Sequence, residues 1–134
     1  MSGRPLIDDA VRLRTLAMTR ISYVLGVLLF GGVTFWLQRQ GRLPPPAASE
    51  TTFRTIGYLI WPLGLAAILA IRSRVGRQPV LAKRAPWLTL GWAIGEGVAL
   101  FGAVRYFAFG DPRSFVEGLL FLVLALILLP LRAP

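Results

Sequence analysis

The chain has 134 residues, 55% of them hydrophobic, a mean hydropathy of +0.64 and a formal net charge of +9, with neither cysteine nor histidine. That apolar share exceeds the usual share of a soluble domain. The missing side chains exclude disulfides, thiolate or imidazole metal ligands, a Cys nucleophile and the commonest general base. Phosphate loops, zinc signatures and Gly-x-Ser-x-Gly elbows are absent too, so the expectation is a non-enzymatic protein with no catalytic residue, metal or cofactor.

The apolar residues come in blocks, and in chain order these predict an all-α integral membrane protein. It forms one domain over 1–134, with spans at about 21–38, 54–72, 87–109 and 114–131. An interfacial amphipathic helix precedes the first span, with Asp8 or Asp9 as its N-cap. Leu13, Leu16, Ala17 and Ile21 line one side of it, and Arg12, Thr15 and Thr19 another. The two acids in this leader, the length of the first apolar run and the poor Pro46–Ala48 cleavage site argue against a removed signal peptide.

The first span, Ile21–Leu37, leads into Gly41–Glu50, where Pro44, Pro45 and Pro46 favour a stiff extended outer loop. The second, Ile56–Ile71, holds Pro62, which should kink it and free the Tyr58 carbonyl. Ser73–Pro86, with Gly76, Pro79 and Pro86, reads as the loop joining two antiparallel hairpins. The third span, Trp87–Phe109, ends at the tight turn Gly110–Asp111–Pro112, and Phe115–Leu131 forms the fourth. An internal duplication is expected, because Val27–Trp36 (VLLFGGVTFW) and Val98–Phe107 (VALFGAVRYF) share Val, Leu, Phe, Gly and Val in register.

The charge distribution sets orientation. Arg4, Arg12, Arg14, Arg20, Arg72, Arg74, Arg77, Lys83, Arg84 and Arg132 fall on one side, and Arg39, Arg42, Arg54 and Arg113 on the other. The excess places both termini and the middle loop in the cytoplasm, where the cations also attract anionic headgroups. Nucleic acid is not an expected partner, since the Arg72–Arg84 loop carries no interleaved aromatics. Trp36, Tyr58, Trp61, Trp87 and Tyr106 lie toward span ends, as interfacial belts do.

Two sets of charges remain inside the spans. Glu96 follows Trp87 by nine residues, placing it about 14 Å into a hydrocarbon core about 30 Å thick. A carboxyl at that depth is costly and marks a candidate site. Without a compensating charge it favours the neutral form. It either hydrogen-bonds a neighbouring helix, with Gly31 or Gly64 at matching depth, or serves as a protonation or ion site. Gly31, Gly32, Gly64, Gly95 and Gly97 are the candidate packing glycines. Arg105 and Glu117 are equally distant from Asp111 and form a candidate salt bridge across the last hairpin.

The stretch Trp92–Phe107 (WAIGEGVALFGAVRYF) resembles the carboxylate helix of the ATP synthase c subunit. It is also similar to a group of small, functionally uncharacterised bacterial four-helix membrane proteins, through Gly91, Trp92, Ala93, Glu96, Leu100 and Gly102. The resemblance implies a protonatable carboxylate at Glu96 and a bacterial inner membrane location. Together these readings predict an accessory, assembly or scaffold component, as a homo-oligomer or within a larger membrane complex. The alternative is a small proton- or ion-coupled transporter or channel using Glu96.

Overall fold

The computed structural model describes residues 4–42 and 49–131, with side chains from Ile7 onward. It is all-α: α1 Arg4–Arg39, α2 Glu50–Gly76, α3 Leu81–Phe109 and α4 Pro112–Leu128. Three helices, α1, α2 and α3, are long and apolar enough to cross a membrane. With 17 residues, α4 extends about 26 Å, slightly less than the roughly 30 Å of a bilayer core. The prolines at 44–46, the Pro46–Ala48 site and Arg132 lie outside the described residues.

Helices α1, α2 and α3 run further than their apolar blocks. The expected interfacial helix and first span are one continuous helix of 36 residues, so Asp8 and Asp9 lie within it and cap nothing. Leu16 is buried, but Ile21 is 58% exposed and faces away from the packed side. The expected loop Ser73–Pro86 shrinks to Arg77–Val80, because Ser73, Arg74, Val75 and Gly76 continue α2 while Lys83, Arg84 and Pro86 belong to α3. Long cationic side chains keep their heads wet while their stems extend a helix, which an apolar window does not register. Across Pro62 α2 stays helical, although the ring deprives the Tyr58 carbonyl of its partner.

Local chemistry sets the α3–α4 turn. Gly110 adopts φ 71°, and its N–H closes α3 on the Tyr106 carbonyl at 2.8 Å, a left-handed cap that glycine takes at no steric cost. Asp111 then caps α4 by accepting from the Arg113 N–H at 3.1 Å, and Pro112 occupies the first turn, where no N–H is needed. At the other end Pro130 pushes Leu129 out of helical geometry, to φ −119° and ψ 67°. The fourth helix therefore stops at Leu128, three residues before the expected boundary.

Helix α3 is the centre of the fold and packs against all three others, most extensively α4. The α3–α4 seam is built from small residues. Gly91, Gly95, Ala99 and Ala103 recur every fourth position on α3, all buried, with Gly102 beside them; they face Ser114, Gly118 and Ala125 on α4. Such surfaces let backbones approach and gain dispersion without large side chains. Against α2, Phe53 stacks on Phe101 with centroids 5.8 Å apart, and Trp61 meets Phe121 of α4 edge-on at 4.9 Å.

The two matched hairpins are not formed. Only α3 and α4 make one; α1 and α2 pack separately on α3, with no Cα pair within 8 Å between them. The glycines of the first pair are used elsewhere: Gly31 of α1 receives Phe115 of α4, and Gly64 of α2 receives Phe121 and Val98. A duplicated hairpin would repeat the α3–α4 seam between α1 and α2, and that seam is missing. The matched segments instead sit side by side, since Gly26 lies opposite Glu96 and the Gln38 amide donates to the Gly110 carbonyl at 3.1 Å.

Candidate functional site

Glu96 sits near the middle of α3, one position beyond Gly95. Gly95 is pressed against Ala125 of α4, and a helical step of about 100° turns Glu96 toward α1. There its Oε1 lies 3.5 Å from where a Cβ would stand on Gly26. The expected neighbours Gly31 and Gly64 are occupied by Phe115 and Phe121, so the carboxyl does not reach them. The residue is half-buried, and both Gly26 and Gly97 are exposed. No hydrogen bond or ion pair joins the carboxylate to another described residue.

Of the candidate packing glycines, Gly31, Gly64 and Gly95 lie in tight contacts, whereas Gly32 and Gly97 face open space. Three further close approaches involve glycines that spacing did not single out for packing. At Gly102 an added Cβ would meet the Ser114 carbonyl oxygen, at Gly118 it would lie 2.9 Å from the Ala99 backbone, and at Gly91 it would run into Leu129. For Gly91 the four-residue period with Gly95 and Ala99 was the available signal.

Arg105 and Glu117 both line a cavity of about 500 Å³ among α2, α3 and α4, yet no salt bridge joins them. The turn matches their depth but not their rotation. Arg105 extends toward α2, its Nη1 3.4 Å from the Cβ position of Gly57, while Glu117 is exposed on α4. The Arg105 Nε is buried with no hydrogen-bond partner among the described residues. Arg54, Asp111 and Arg113 line the same cavity.

A third polar group joins three helices. Trp92 is fully buried, and its Nε1–H donates to the Leu129 carbonyl at 3.0 Å. The half-buried Arg20 donates from Nη2 to the Leu126 carbonyl at 3.3 Å, with its guanidinium 5.9 Å from the Trp92 ring centre. Arg20 is thus more than a topology charge. Tyr106 also departs from expectation: it is 3% exposed and stacks on Phe115 rather than sitting in an interfacial belt.

Among the described residues no group of three or more acidic side chains is placed to hold a metal ion. No protein-family model matches the chain, and neither does any curated protein or solved structure.

Proposed function

We propose that this chain is a bacterial inner-membrane protein with four spans and cytoplasmic termini, acting as a non-enzymatic accessory, assembly or scaffold component of a larger complex. Three apolar helices support the membrane setting. The uncharged run from Gly118 to Leu131 extends that reading to α4, and the basic residues support the orientation.

The carrying observation is the Glu96 carboxyl, set mid-helix at the α1–α3 seam with no hydrogen bond from the described residues. In hydrocarbon such a group gains from a polar partner. Gly26 and Gly97 leave it unshielded, so a helix of a second subunit can approach closely enough to bond it. Titration coupled to ion movement is the second reading, favoured by the same exposure.

The cysteine-free sequence allows a direct test. With Gly97→Cys in native membranes, bifunctional maleimides should give a discrete adduct that Glu96→Gln preserves and Glu96→Leu removes. Glutamine keeps hydrogen bonding but not titration. An adduct insensitive to Glu96→Leu, or none at all, would count against assembly. Proton flux in proteoliposomes that Glu96→Gln abolishes would establish the transport reading.

A further inference from the structure

We infer that the cavity at the α3–α4 turn end binds a phosphate-bearing anion. Three arginines from three helices line it: Arg54 of α2, Arg105 of α3 and Arg113 of α4. Three cations brought together in a protein poor in counter-charge repel one another unless an anion lies between them. The two carboxylates on the same wall do not supply it. No pair of opposite charges among the described residues approaches within 4.0 Å, and Asp111 is committed through Oδ1 to the start of α4. Glu117 lines the cavity but is itself exposed and forms no ion pair with any of the three arginines.

Arg105 gives the second, independent indication. Its Nε is buried with no acceptor among the described residues, a costly state for a charged donor in a low-dielectric setting. It sits about one helical turn inside the end of α3, so an anion entering from the turn end would complete it. The planar guanidinium fork matches a tetrahedral phosphate, and several arginines bind it better than point charges do. A volume of about 500 Å³ falls within the roughly 300–1,000 Å³ of small-molecule sites. Trp61 and Tyr58 also line the cavity, and Tyr58 is 73% exposed. They supply the apolar wall that a glycerol backbone or acyl chain would follow.

The shared chemistry is a phosphate anion, from either an anionic phospholipid headgroup or free phosphate. The full chain in a maltoside micelle and phosphate-free buffer would be titrated with inorganic phosphate and, separately, with short-chain phosphatidylglycerol. Bound adducts would be read by native mass spectrometry. Saturable binding of phosphatidylglycerol alone assigns the headgroup, and equal binding of both probes assigns the phosphate itself. Arg105→Gln and Arg54→Gln should each weaken binding roughly tenfold or more, and Glu117→Gln should tighten it. Arg54 is exposed, so its variant tests the site without disturbing the helix seams. Absence of binding by either probe, or binding that Arg54→Gln leaves unchanged, would overturn the inference.

Discussion

Gly102→Ala isolates the force that holds α3 against α4. The new Cβ would meet the Ser114 carbonyl oxygen, with the Ser114 carbonyl carbon at 3.2 Å and the Gly118 Cα at 3.3 Å. All three are backbone atoms, so no rotamer change relieves the overlap and the helices must separate. Separation loosens the neighbouring contacts of Gly118 with Ala99 and of Gly95 with Ala125. A gap of half an ångström to one ångström forfeits about a quarter to a half of each dispersion well. It also strains the Ser114 Oγ bond to the Gly102 carbonyl, at 3.2 Å. Overpacking of this kind costs about 1–3 kcal/mol, against up to about 1 kcal/mol gained because alanine favours helix over glycine.

Gly97→Ala is the matched control, since it enters open space on the same helix and collects only the propensity gain. Equilibrium unfolding of both variants in mixed micelles, titrated with dodecyl sulfate, should place Gly102→Ala below wild type and Gly97→Ala level with it or above. If Gly102→Ala is as stable as Gly97→Ala, the α3–α4 seam is not close-packed as described.

Trp92→Phe removes the donor to the Leu129 carbonyl while keeping an aromatic ring in the core. It should lower the unfolding free energy by about 1–3 kcal/mol for the stranded buried acceptor; an unchanged midpoint in the same titration would show that the bond carries no weight. For orientation, single cysteines at Ser49 and Ser73, both exposed, should react oppositely with an impermeant maleimide in intact cells. Labelling of Ser73 from outside would reverse the arrangement.

The existence of the helices was legible because apolar side chains cluster wherever a segment avoids water. Their partners were not legible from chain order. Proximity in sequence suggested α1 with α2, but close approach follows small-residue surfaces, and the longest of these runs along α3 from Gly91 to Ala103. Its four-residue repeat was visible and would have named α3 as the hub. The rotation of Glu96 then follows, because a residue adjacent to the Gly95 contact cannot face α4 as well. For Arg105 and Glu117, equal depth was readable. The choice between facing each other and facing apart depended on α2, which offers Gly57 as the gap into which Arg105 extends.

The shortest helix makes the clearest demand on the rest of the fold. Pro130 stops α4 at Leu128, and the last carbonyls of any helix lack intrahelical donors. In water these would be solvated, but near hydrocarbon each uncovered carbonyl is costly. Two side chains from other helices cover them: Arg20 bonds Leu126 and Trp92 bonds Leu129. A cation at a helix C-terminus also opposes the negative end of its dipole, and the Trp92 ring lies beneath that guanidinium. Arg20 therefore does what a polar interface would otherwise do for the end of α4. That placement requires α1 to run parallel to α3, so that Arg20 arrives level with Trp92, and this is the alignment that also sets Gly26 opposite Glu96. The placement of the Glu96 carboxyl against Gly26 and the capped helix end are thus two consequences of one helix register.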